Sequence, residues 1–494
     1  MTVTEAGPSG VGIELNGINV IEEGERKGSP RQLFWPWFAA NVSVLGLSYG
    51  AFILGFGISF TQAVVASVVG VILSFLLCGF VAVAGKRGSA PTMILSRAAF
   101  GVSGNRVPAV VSWVLNVGWE TALTALAAEA TATVFARLGA GGGDLTKVVA
   151  FLVVAPLLVG GGELGFDAIM RMQAAITVVT AVLTVIYIVL VAGKIHWPAV
   201  SALHAGSTEA VVGAVIFTMT GFGLGWVNCA ADYSRYLPRR ASGSGVIGWT
   251  TVGSSVAPLV LVVFGLLLAG SSTKLSNAIG ANPIGALTTI LPTWYLVPFA
   301  VVAVLGLVGG AVLDIYSSGL TLLSVGLPAP RWVAACIDGT LMIGGTIYLV
   351  FFASSFVGPF EGALIFLGVP IAAWCGVMLA DVALRRRDYV DADLYRTQGR
   401  YCTSRPAAIG LVVVGSVLGW GLITTTSPGW LKWQGYLLGP FGLGGKTGSW
   451  EYANLGVVVA LALTFVGWLL LGRRTVRSQE AAPAPARTTA AAAS

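Results

Sequence analysis

The stretch that decides how this chain folds is GFGLGWVNCAADYSRYLP, residues 221–238. Gly221, Gly223 and Gly225 fall within five positions of an apolar run, and a tryptophan follows at once. In a helix meant only to pack, each such glycine costs about 1 kcal/mol relative to alanine. The cluster therefore marks a place where a helix comes apart, and the polar DYSRYLP that follows marks where the chain leaves its apolar surroundings.

Those surroundings are a membrane. The chain has 494 residues, of which 56% are hydrophobic and 10% charged, far below the roughly 25% charge of soluble domains; mean hydropathy is +0.85. Apolar runs of roughly 18–25 residues recur, the length that spans a bilayer as helix, and the short alternating segments of a β-barrel are absent. We read an all-α polytopic membrane protein with twelve transmembrane helices, at about 35–57, 62–84, 109–136, 147–163, 173–193, 210–231, 245–270, 296–320, 332–354, 361–382, 407–426 and 452–472.

An even number places both termini on one side, and positive charge chooses the cytoplasmic one. On that assignment only Arg137, Lys147, Lys194, Lys274, Lys432 and Lys446 lie outside, six of the 28 Lys and Arg. The net charge of +7 thus follows from topology and gives no reason to expect a nucleic-acid partner; the bilayer is the partner. Residues 1–34 lack the apolar core of a signal peptide and read as a cytoplasmic segment. Residues 473–494, rich in Ala, Pro and Thr, read as a disordered cytoplasmic tail. The five cysteines show no paired spacing, and the two histidines, His196 and His204, share one outer loop. With no intramembrane histidine and no nucleophile–base pairing, the chain does not read as an enzyme, and no cofactor is expected.

The glycine cluster of span 6 has a counterpart in span 1, where VLGLSYGAFILGFG (44–57) carries Gly46, Gly50, Gly55 and Gly57. Interrupted helices at corresponding places in two five-helix blocks point to a transporter of inverted repeats. Irregular backbone at membrane depth survives only where it is buried in protein or lines a cavity. The blocks are 35–195 (helices 1–5) and 210–384 (helices 6–10), followed by two helices over 406–472.

At this point the residues become familiar. WPWFAANVSVLGLSYGA (35–51), NVGWE (116–120), WVNCAADYSRYLP (226–238) and DIYSSGL (314–320) together resemble the nucleobase:cation symporter family, in its purine–cytosine permease branch, and the likeness runs over about 15–475. The resemblance implies the leucine-transporter-like fold, a 5+5 inverted repeat plus two C-terminal helices. It also implies import of a flat heterocycle driven by a cation gradient.

A nucleobase needs an aromatic surface to stack on and a few polar groups to read its edge. The family places a stacking tryptophan where this chain has Trp119. Phe222 and Trp226, four apart on span 6, share a helical face, so one of them supplies a second wall. Glu120 adjoins Trp119 near mid-membrane, where an ionisable group is a functional candidate by default; it accepts hydrogen bonds from a base or carries a proton. Asn41 and Asn116 are the remaining edge readers. Family members often carry an amide one turn beyond the span 3 tryptophan, and here that position is Leu123, so substrate identity does not transfer simply. In this fold a sodium ion sits between the span 1 break and span 8, and Ser317 and Ser318 match its hydroxyl pair. The position three before is Asp314, where the branch more often has Asn, and it is a candidate for sodium, proton or substrate. The coupling ion is thus sodium or a proton. Of the other acids, Asp232 is expected to pair with Arg235 at the inner end of span 6, and Asp338 and Glu361 read as near-interface residues. A same-fold amino-acid carrier and a non-concentrative channel or receptor are the competing functions.

Overall fold

The computed structural model describes residues 16–164, 166–353 and 357–482. The first helical span is broken, but ahead of its glycines, which lie within and just after its second half. It comprises α1 (Phe34–Asn41) and α2 (Leu45–Leu54), bent by 66° across Val42–Val44. Then come α3 (Phe60–Gly88), α4 (Arg106–Arg137), α5 (Asp144–Glu163) and α6 (Phe166–Ala192). The second broken helix is α7 (Thr208–Gly221), which stops at Phe222 and resumes as a single turn, Gly223–Trp226, and a 3-10 turn, Val227–Cys229. After it run α8 (Gly243–Ser271), α9 (Leu296–Val325), α10 (Arg331–Phe351), α11 (Val357–Leu384), α12 (Pro406–Trp420) and α13 (Leu455–Ala481).

Ten helices among the described residues are long and apolar enough to cross a membrane; the bent first pair makes an eleventh, and α12 is a shorter apolar helix. Lipid-facing character is plainest on α5 and α6, where Leu152, Val153, Leu157, Val182, Val185 and Val189 are exposed. Polar side chains concentrate inside instead. This is the inverse of a soluble protein, and it follows from the solvent: hydrocarbon leaves no other place for unmet hydrogen-bonding groups.

The two broken helices are held close to their neighbours by glycine. A Cβ at Gly50 of α2 would collide with the backbone of Gly265 and Leu266 on α8, and one at Gly223 would collide with the backbone of Ser74 and Phe75 on α3. Small residues at helix interfaces permit this approach, which is the main source of helix association in lipid.

The C-terminal boundary differs from the sequence reading. The last helix continues to Ala481, past the expected end at 472, because Gln479 donates to the Ala98 carbonyl (2.8 Å) and Glu480 accepts from the amides of Arg386 and Arg387 (2.7 and 2.8 Å). The rest of the expected tail, residues 483–494, lies outside the described residues, as do 1–15 of the N-terminal segment.

Candidate functional site

Backbone accounting explains why α7 can break inside the protein. The Gly223 amide donates to Ser74 Oγ (3.1 Å), Cys78 Sγ approaches the Gly223 carbonyl at 3.0 Å, and Tyr49 Oη donates to the Gly221 carbonyl (3.3 Å). Side chains of α2 and α3 thus replace the helical bonds that the break removes, which a buried peptide group requires. The first break is closed differently. Asn41 Nδ2 donates to the Trp37 carbonyl (2.8 Å), while the carbonyls of Ala39 and Ala40 face Gly309 and Gly310 of α9, within 3.4 Å of where a Cβ would stand.

Between the breaks lies a small cavity of about 60 Å³. Five of the residues singled out from sequence line it: Asn41, Trp119, Phe222, Trp226 and Asp314. Trp119 comes from α4 and meets Phe360 edge-on at 5.1 Å; Gly225 lies so close that a Cβ there would stand 3.0 Å from the indole nitrogen. The Trp119 indole nitrogen and Asp314 Oδ1 are buried without a hydrogen-bond partner among the described residues. A cavity with an aromatic wall and unanswered polar atoms is the chemistry of a site for a flat, polar-edged molecule.

Four expected residues stand elsewhere. Asn116 accepts from Asn228 Nδ2 (2.8 Å), which also donates to Ser112 Oγ (2.8 Å), so it ties α4 to the segment after the break. Glu120 is fully buried on another face of α4, beside Ser318 and Asp338, and neither carboxyl oxygen has a partner of good geometry. Ser318 Oγ donates to Asp338 Oδ2 (2.9 Å), and Trp113 Nε1 donates to Asp338 Oδ1 (2.5 Å). Ser317 Oγ shares a 3.0 Å hydrogen bond with Tyr233 Oη, which also donates to the Leu313 carbonyl (2.9 Å). The two hydroxyls therefore turn to different neighbours.

Other expectations need correction. Phe222 and Trp226 both reach the cavity, but the helix is interrupted at Phe222 itself, so the break and not helical periodicity brings them together. Asp232 and Arg235 are both buried and take separate partners: Asp232 Oδ1 accepts from the amide and hydroxyl of Thr92 (both 2.7 Å), and Arg235 donates to Tyr316 Oη and the Gly17 carbonyl (both 2.8 Å). Asp338, about two turns into α10, is buried between Trp113 and Ser318.

The cavity is closed on both sides. Towards the face opposite the N-terminal segment stands one layer of rings, in which Tyr49 lies 4.6 Å from Phe222, 5.7 Å from Phe217 and 5.6 Å from Phe52. Tyr49 was not anticipated; its place four residues before Ile53 in an all-apolar run gave no polar or charge signal to single it out. Beyond the rings opens a vestibule of about 710 Å³. Towards the N-terminal side the closure is thicker. Trp37 packs edge-on against Trp226 (5.9 Å) and Tyr233 (5.4 Å), and Tyr233 stacks on Tyr316 (6.1 Å). Below them the Arg235 guanidinium lies over the Tyr236 ring at 5.0 Å. The N-terminal segment then crosses underneath: Ile21 N donates to the Ser89 carbonyl and Lys27 N to the Tyr236 carbonyl (both 2.9 Å), and Tyr395 Oη donates to the Ile18 carbonyl.

Comparison with known proteins gives three consistent likenesses. The profile of a family described as permeases for cytosine/purines, uracil, thiamine and allantoin matches residues 20–437. YxlA of Bacillus subtilis (strain 168), assigned by name to the purine-cytosine permeases, is 23% identical over 396 residues, 79% of this chain and 83% of its own length. The purine-cytosine permease FCY2 of Saccharomyces cerevisiae is 25% identical over 276 residues, 53% of this chain and 48% of FCY2. Among solved structures, Mhp1, a nucleobase-cation-symport-1 family transporter captured closed with bromovinylhydantoin bound, superposes with a TM-score of 0.67 at 17% identity, over 94% of this chain and 98% of that one. A Na+-coupled sialic acid symporter superposes at 0.56 and 12% identity, over 91% of each chain. The fold is thus that of Mhp1, which is leucine-transporter-like.

Proposed function

Because the chain belongs to the permease family for cytosine/purines, uracil, thiamine and allantoin, we propose that it is a cation symporter that imports a nucleobase or related flat heterocycle by alternating access. The family consists of transporters and the chain is not an enzyme. In this reading both termini are cytoplasmic and the chain crosses the cell membrane twelve times, α12 included. The two five-helix blocks, 35–195 and 210–384, are inverted repeats, so their broken helices meet at the midplane.

The observation that carries the reading is the cavity where both breaks converge, with Trp119 as its aromatic wall and Asn41 and Asp314 as polar groups. The base stacks on Trp119, with Phe222 or Trp226 on its other face, a contact worth roughly 1–3 kcal/mol per ring. Asn116 joins α4 to the segment after the second break through Asn228. Sodium coupling uses Ser317 and Ser318 with Asp314; proton coupling uses Asp314 or Glu120. With ring layers on both sides and the vestibule beyond one of them, the arrangement corresponds to an occluded state. Substrate and cation bind there, and rocking of one helix bundle against the other opens the thick inner closure.

The test is uptake of labelled cytosine, adenine, hypoxanthine and uracil into proteoliposomes under an inward sodium gradient or an inward proton gradient. Accumulation of one base above equilibrium supports the symport, and the effective gradient identifies the ion. Equilibration without accumulation under either gradient overturns it.

A further inference from the structure

The vestibule has a character of its own. Among the described residues, its charged lining consists of Glu209 and Glu361, with no Lys, Arg or His in the wall. Four rings share that wall: Phe52, Phe56, Phe217 and Tyr452. Phe56 and Phe217 lie 5.8 Å apart, tilted at 49°. Glu209 stands beside the hydroxyls of Ser207 and Ser449. Glu361 makes no hydrogen bond or ion pair with the described residues and faces the cavity from the first turns of α11.

Two carboxylates on one concave wall set a negative potential over the space between them. Ring faces add to the attraction, because the aromatic quadrupole presents negative charge to a cation held over it. A flat anion meets repulsion from both. An uncharged base would gain from the rings and at most a hydrogen bond from a carboxylate, whereas a cation gains from both the rings and the net charge.

We infer that the vestibule is a binding site for a heteroaromatic cation, a flat ring bearing a fixed positive charge, held between the carboxylates of Glu209 and Glu361 and the faces of Phe56 and Phe217. The site is separate from the central cavity, since the Tyr49 layer stands between them, and the inference stands whether or not the central cavity carries a nucleobase.

Three probes of nearly equal shape test it on the full-length protein in detergent at pH 8: 1-methylnicotinamide (cation), nicotinamide (neutral) and nicotinate (anion), with binding read by calorimetry. The cation is expected to bind about tenfold more tightly than the neutral probe, a difference of the size that one nearby charge gives at a half-exposed site, and nicotinate more weakly than either. Glu361→Gln and Glu209→Gln should each lower cation affinity several-fold, and the double variant should bind cation and neutral probe alike. Glu361→Asp should keep most of the preference. Should the Gln variants prove unstable, Phe56→Leu offers an independent check and should weaken the cation more than the neutral probe. Equal binding of the three probes, or no cation binding, overturns the inference. So does a cation preference that survives the double Gln variant and disappears in Asp314→Asn, because that places the selectivity in the central cavity.

Discussion

The two closures of the central cavity are built from different materials. On the vestibule side a single layer of rings around Tyr49 is fastened by one long hydrogen bond, 3.3 Å, to the Gly221 carbonyl. On the N-terminal side aromatic rings, a buried guanidinium, a buried carboxylate and the N-terminal segment form several layers joined by hydrogen bonds of 2.7–2.9 Å. Apolar contact is non-directional and re-forms easily after a small displacement, whereas a buried hydrogen-bonded charge is costly to part from its partners. Under the alternating-access proposal the difference predicts which side yields first: the ring layer to small motions, the thick closure only when its whole network is exchanged for another.

The largest effect should come from removing the charge at the centre of the thick closure. Arg235→Ala strips partners from Tyr316 and from the Gly17 carbonyl, and hydrogen bonds to a charged group are each worth about 1.5–3 kcal/mol. Buried Cys229 is then expected to react with maleimide at least tenfold faster, in a background where exposed Cys336 and half-exposed Cys402 are replaced by serine; an unchanged rate would break the comparison. Next, Trp119→Ala removes the stacking wall while leaving both closures in place. Solute binding should fall by at least about tenfold, from the roughly 1–3 kcal/mol of a stacked ring, with Cys229 as protected as before. If instead transport is normal, the site is misplaced.

Phe222→Leu thins the ring layer and removes contacts of the kind worth about 0.5–1.5 kcal/mol beyond burial. It should speed solute release several-fold towards the vestibule and leave Cys229 reactivity alone. The smallest change is expected for Tyr49→Phe, which keeps the ring and deletes one weak hydrogen bond, worth about 0.5–1 kcal/mol. A two- to five-fold faster release, measured by solute dissociation, would sharpen the contrast; a loss as large as that of Arg235→Ala would erase it.

Much of this architecture is legible in the sequence because lipid makes it so. Apolar length reveals the helices, and the glycines at 221–225 reveal where one of them breaks; the other bends at Val42–Val44, ahead of its glycines, of which Gly46 and Gly50 serve close contact with α8. The site is legible to the extent that a residue's depth can be counted along a helix. Direction is harder. One step along α4 rotates the side chain by about 100°, so Trp119 faces the cavity while Glu120 faces Ser318 and Asp338. The same limit hid the partners of Asp338, which are Trp113 on α4 and Ser318 on α9. Phe222 and Trp226 reached the cavity by a route that helical spacing does not describe, since the spacing rule lapses where the helix does. Asp232 and Arg235 suggested a pair by proximity, but each had a better partner that only the tertiary fold supplies.

The segment under the thick closure has a consequence for how the protein is made. Ile21 and Gly17 meet Ser89 and Arg235 early in synthesis, but Ile18 is held by Tyr395, 377 residues later in the chain. The floor is therefore laid in stages, and its last tie forms only after most of the helices have been made. A chain truncated ahead of residue 395 would keep its floor with one fastening missing.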